Sequence, residues 1–134
     1  EIRTEKCGVI ASKIASIPAV RGLLTVHQQA MRQLPGLVAD GRDMGSVVFS
    51  DAKDKFFLEA SVPVRAKRRF NQLKEKGIDA SLPEIEEELQ KRDQRDQTRA
   101  VSPAIASDDM ILIDTSNLDI NQVLSKVMSY IKQG

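Results

Sequence analysis

The 134 residues suit one domain of ordinary size, with 41% apolar residues for a core and 29% charged residues for solubility. Twenty Lys and Arg nearly cancel nineteen Asp and Glu, which argues against nucleic acid as the main partner. No apolar run approaches the length of a membrane span or a signal peptide, and the lone Cys7 excludes an internal disulfide and fits a reducing cytoplasm. The chain opens on Glu1 rather than Met, the start expected of a processed or partial chain.

In chain order, Ser16 followed by Ile17-Pro18 opens a helix, because Pro is tolerated in a first turn. Val20, Leu23, Leu24, His27, Met31 and Leu34 share one face of it and are its candidate core. Residues 36–39 form a first short apolar run and residues 55–60 a second. Both carry little alternation, as strands covered on two faces do. Ser61 with Pro63 starts a helix through Arg65, Lys67, Arg68 and Arg69 to a stop near Gly77. A capping box of Ser81 and Glu84 starts another, reaching about Thr98 ahead of Pro103. Residues 110–113 read as a third strand. Asp119 and Gln122 then open a last helix striped by Ile120, Val123, Leu124, Val127, Met128 and Ile131.

Strands alternating with helices predict an α/β layer around a parallel sheet, thin at three strands, to which a missing N-terminal part would contribute more. Ligands of such sheets bind beyond the carboxyl ends of the strands. The run after residue 39 is Asp40, Gly41, Arg42, Asp43, Met44 and Gly45, which places two carboxylates and an arginine between glycines that permit tight turns. A ligand site and a helix-capping turn both fit it. On the Ser81 helix the apolar positions Ile85 and Leu89 continue at the same spacing into Arg92, Asp96 and Arg99. Charges on an inward stripe need partners. Either Arg92 and Asp96 pair four residues apart, or the arginines offer forked donors to an anionic ligand. Glu88, Lys91, Asp93 and Arg95 read as a solvated face.

The basic residues 65–69 suit phosphate clamping, nucleic-acid binding or an exposed helix face. With only Phe70 nearby, stacking platforms for single strands are poorly supplied. His27 reads as a packed core or boundary residue and Cys7 as core rather than nucleophile. No metal-ligand spacing is present.

Residues 34–45, Leu-Pro-Gly-Leu-Val-Ala-Asp-Gly-Arg-Asp-Met-Gly, strongly resemble bacterial cytidylate kinases. So do residues 92–103, Arg-Asp-Gln-Arg-Asp-Gln-Thr-Arg-Ala-Val-Ser-Pro, and the basic run 65–69. The likeness extends over essentially the whole chain. It implies a P-loop nucleoside monophosphate kinase fold, a three-layer parallel sheet with a helical lid, incomplete here at the N-terminus. Residues 1–134 would form one partial domain: 1–35 helices of the acceptor-binding region, 36–64 core strands and site loop, 65–103 basic helix and lid, and 104–134 last strand and helix. The implied reaction moves the γ-phosphoryl group of ATP, with Mg²⁺ and no protein-bound metal, onto CMP or dCMP. By similarity Ser12, Arg21 and Asp43 hold the cytosine, Arg92 and Asp96 meet the sugar, and Arg99 lies against base or phosphate. Arg42, Arg68 and Arg92 face the transferring phosphates. The resemblance implies a cytoplasmic, monomeric parent enzyme that uses neither nucleic acid nor membrane. Against the family pattern, no G-x-x-x-x-G-K-[ST] phosphate loop occurs in these residues, so the 134 residues alone are expected to be inactive. The rival expectation is a non-catalytic module that self-associates along an open sheet edge and at most binds CMP.

Overall fold

A computed structural model describes residues 5–98, 100 and 103–131. The chain divides into two compact units, Glu1–Ala52 with Arg92–Ile105, and Lys53–Lys91 with Ala106–Gly134.

The first unit is helical. Helix α1 spans Glu5–Ala15 and helix α2 spans Pro18–Ala30, and the two pack on each other. Ile17 is extended (φ −79°, ψ 117°), as the residue before a proline tends to be, and its carbonyl accepts the Arg21 N–H at 2.9 Å. Pro18 then occupies the first turn, where a missing N–H costs nothing. Beyond α2 the chain runs to a π-helical turn, Met44–Val48, on which α2 also packs. Val48 and Phe49 are its buried apolar residues.

Two expectations fail in this unit. Residues 36–39 are not a strand: they lack ladder hydrogen bonds and are exposed, Val38 to 99%. An extended segment becomes a strand only where a neighbour satisfies its N–H and C=O groups, and the sheet that forms contains two other strands alone. The apolar stripe of α2 is also not a core. Leu23, Leu24, Met31 and Leu34 are exposed, and His27 is exposed with them rather than packed.

The second unit holds the sheet. Strand β1, Phe56–Glu59, pairs in parallel with β2, Ile111–Asp114, in the register Phe56 to Ile111 through Glu59 to Asp114. The Ile111 N–H to the Lys55 carbonyl (2.9 Å) and the Thr115 N–H to the Glu59 carbonyl (2.7 Å) extend the ladder at both ends. Ile113, Ala66 and Ile85 are buried, whereas Leu58 and Leu112 are half exposed, so the strands are not covered on both faces. The architecture among the described residues is therefore mixed α/β with a two-stranded parallel sheet.

Local signals place the helices of this unit well. Helix α3, Val62–Glu75, starts after Ser61 with Pro in its first turn. It ends at Gly77, whose φ of 68° is the left-handed conformation that favours glycine. There the Ile78 N–H reaches the Leu73 carbonyl and the Gly77 N–H the Lys74 carbonyl, both at 3.0 Å. Helix α4, Leu82–Thr98, follows Ser81, and its last two turns belong to the first unit. Helix α5, Ile120–Ile131, opens on a reciprocal cap. The Asp119 N–H donates to Gln122 Oε1 (2.9 Å) and the Gln122 N–H to Asp119 Oδ1 (2.8 Å). Its stripe is little buried, with Ile120 at 86% exposure. No single helix among the described residues is long and apolar enough to cross a membrane.

Candidate functional site

Two buried carboxylates of the first unit, Asp43 and Asp96, hold Arg21, Arg42 and Arg92. Asp96, on the inward stripe of α4, is 2% exposed and belongs to a four-residue cluster. Its Oδ1 accepts the Ser12 hydroxyl of α1 at 3.3 Å. Its Oδ2 lies 2.6 Å from Arg42 Nη1 and 3.8 Å from Arg92 Nε. Its backbone carbonyl accepts the Ala104 N–H at 2.8 Å, which ties the chain after α4 back onto the same residue. Both arginines keep about a third of their side chains exposed (34% for Arg42, 35% for Arg92). A buried carboxylate in contact with two guanidiniums restricts how either can turn.

Asp43, 4% exposed, immediately precedes the π-helical turn and forms an ion pair with Arg21 of α2, itself almost buried. Its backbone carbonyl accepts two N–H groups, from Val47 (3.0 Å) and Val48 (3.2 Å). A Cβ at Gly41 would lie 2.8 Å from Met44 Cγ, so any larger residue there would force the Met44 side chain to shift. A carboxylate acceptor and a guanidinium donor thus stand side by side next to Arg42, the residue that reaches Asp96.

Of the sequence-derived site residues, Ser12, Arg21, Arg42, Asp43, Arg92 and Asp96 all fall in this unit. Arg99 lies outside the described residues. Arg68 belongs to the second unit, where its guanidinium donates to the Thr115 hydroxyl (3.2 Å) and to the carbonyls of Thr115 (2.5 Å) and Leu118 (3.2 Å). Arg65, from the same basic run, donates through Nε to the Ala60 carbonyl at 2.8 Å. Both arginines therefore fix the chain beyond the strand ends. A cleft of about 280 Å³ lies there, lined by Glu59, Ala60, Ser61, Asp114 and Ser116. Hydrogen bonding from Ser116, through its side chain and then its N–H (2.8 Å to Oδ1), holds the Asp114 carboxyl below the usual carboxylate range. At the opposite end of the strands, buried Lys55 pairs with Asp109, and this hydrogen bond together with that from Ser107 depresses the Asp109 carboxyl.

Of the two readings left open for Arg92 and Asp96, the pairing is present at 3.8 Å, and Arg42 joins it. Sequence reasoning missed Asp93. Read as solvated, it is 23% exposed with Oδ1 3.9 Å from Arg42 Nη1. Its place beside the Arg92–Asp96 stripe, one residue off, was the available signal. Gln29 and Arg32 were missed as well. Gln29 Nε2 donates to the Val48 carbonyl (2.8 Å), and Arg32 forks onto Asp51 with two 2.9 Å hydrogen bonds. Nothing in their spacing distinguishes them from other polar residues on α2.

Fold and site together define a mixed α/β chain that presents arginines on buried carboxylates. The cytidylate kinase family profile matches residues 1–133. A cytidylate kinase of Methylococcus capsulatus is 52% identical over 98% of this chain and 59% of its own length. Those of Coxiella burnetii and Aeromonas salmonicida are 48% and 49% identical over 98% of this chain, and 56% and 57% of their own lengths. The chain belongs to the cytidylate kinase family. It spans less than three fifths of the length of these relatives.

Proposed function

We propose that this chain carries the acceptor side of a cytoplasmic cytidylate kinase, which moves the γ-phosphoryl group of ATP onto CMP or dCMP. The observation that carries the reading is the clustering of Ser12, Arg42 and Arg92 on the Asp96 carboxylate, with the Arg21–Asp43 pair in the same unit.

Cytosine presents an amino donor beside two acceptors, N3 and O2. In this reading Asp43 accepts from the amine and Arg21 donates to the acceptors. Uracil reverses donor and acceptor at the first two positions and leaves buried groups unpaired, a mismatch that costs more than a missing contact. Arg92 and Asp96 meet the sugar, with Arg99 near base or phosphate, while Arg42 and Arg92 direct guanidinium donors at phosphate oxygens. Phosphoryl transfer needs no protein nucleophile. It needs in-line positioning and cations against the charge that develops on the transferring group. Arg68 is assigned to that group too, and its present acceptors are neutral carbonyls and a hydroxyl that a phosphate would outcompete.

ATP supplies the phosphoryl group and Mg²⁺ accompanies its phosphates. Among the described residues no three His, Cys, Asp or Glu side chains group as metal ligands, so no residue is assigned to the ion. The reading places no ATP phosphate loop within these 134 residues.

Ligand-induced thermal shift tests the reading, because a ligand of the folded state stabilises by RT ln(1 + [L]/Kd). CMP is expected to raise Tm more than UMP (base reading) and more than cytidine (phosphate reading). Equal shifts, or none with CMP, contradict it. CDP formation from CMP and ATP by these 134 residues alone contradicts the placement of the phosphate loop outside them.

A further inference from the structure

The segment carrying Arg42 and Asp43 is attached to α2 at three points. Arg21 pairs with Asp43 at its start, Gln29 Nε2 donates to the Val48 carbonyl at its end, and Arg32 forks onto Asp51 just beyond. The Arg32 guanidinium also sits over the Phe49 ring, 5.7 Å from its centroid. On the other side of the segment, residues 36–41 are exposed and unpaired, so these attachments, with the Arg42–Asp96 contact, set where the segment lies.

The segment is also held in an uncommon register. π-helical turns are rare and frequent at functional sites. The Asp43 carbonyl is shared between the N–H groups of Val47 and Val48, so the α and π registers compete at that residue. A one-residue change of register in a helix turns the following residues by about 100°. The last carbonyls of a helix lack partners within it, and the Gln29 amide supplies one to Val48.

We propose that Gln29 is a positioning residue for base selection: by holding the Val48 carbonyl, with Arg32 holding the next turn, it fixes the π register and thereby the orientation of Asp43 and Arg42. The inference rests on the reading that Asp43 recognises cytosine. Gln29 touches no substrate in this account and acts through the turn.

The test is titration calorimetry of the 134-residue chain with CMP and with UMP, for the parent sequence, Gln29→Met, Gln29→Lys, Arg32→Gln and Asp43→Asn, with Tm measured for each. Met removes the donor at similar length, and Lys restores one. Gln29→Met is expected to lower the CMP-over-UMP affinity ratio about fivefold, the worth of one ordinary hydrogen bond, with most of it returned by Gln29→Lys. Arg32→Gln is expected to lower it by less. A fall in Tm alone would not move the ratio, because unfolding removes binding of both nucleotides equally. A lowered Tm with an unchanged ratio in both Gln29→Met and Arg32→Gln overturns the inference while leaving the Asp43 reading in place, provided Asp43→Asn collapses the ratio. A parent chain that does not prefer CMP, or an Asp43→Asn variant that keeps the preference, overturns both.

Discussion

The two units differ in what they bury. In the helical unit the deepest side chains include two carboxylates, Asp43 and Asp96, beside Val48 and Phe49, while α2 leaves Leu23 and Val26 largely in solvent. In the sheet unit the deepest residues are Ile113, Ala66 and Ile85, with Lys55 and Thr115 as the buried polar groups, each partnered at a strand end. Burying a charge is costly, and a buried ion pair is weak evidence for stability because desolvation offsets much of the attraction. The helical unit is therefore organised around placing charges, and the sheet unit around an apolar centre and a hydrogen-bonded ladder. Perturbed or buried ionic groups concentrate at functional sites for this reason.

The sharpest way to break this contrast is at Ile113, fully buried in the middle of the ladder. Ile113→Ala is expected to cost about 3 kcal/mol, the usual range for emptying a core site being roughly 2–5 kcal/mol. Urea denaturation checks it. A loss below about 1 kcal/mol would show that the sheet unit has no consolidated apolar centre.

A smaller effect separates exposed from buried ionic groups. The Asp109 carboxyl is depressed by its hydrogen bonds from Lys55 and Ser107, so its contribution to stability is present above the ordinary carboxylate value of 3.8 and lost as pH falls through the lower folded value. Asp109→Asn is expected to flatten the acid limb of a Tm-against-pH profile below about pH 4 and to leave the profile near neutrality parallel to the parent's. An unchanged acid limb would show that the pair contributes nothing, as for many exposed ion pairs.

What was legible in the sequence follows the range of the forces involved. Capping is local, so the Asp119–Gln122 box, the stop at Gly77 and the start after Ser61 were readable from a few neighbours. So was the inward continuation of Ile85 and Leu89 into Arg92 and Asp96, because helical spacing alone puts them on one face. Strand pairing is not local. Residues 36–39 have the composition of a buried strand, but without ladder partners they remain exposed coil, and His27 with its apolar neighbours on α2 remains solvated for the same lack of a covering surface. The site itself was half legible. The residues of its two motifs do converge, yet Asp93 was hidden by its similarity to a solvated charge, and Gln29 by the fact that its partner is a backbone carbonyl, which no side-chain pattern reports.

The claim at the centre of this account is that the Asp43–Arg21 pair reads the base, and the most direct measurement is the CMP-over-UMP affinity ratio of the parent chain and Asp43→Asn by calorimetry. A carboxylate only accepts, whereas an amide can accept from cytosine or donate to uracil. The ratio is expected to fall roughly 10- to 100-fold in Asp43→Asn, chiefly by weaker CMP binding. A parent chain that binds the two nucleotides equally, or a variant that keeps the parent's preference, would contradict the account.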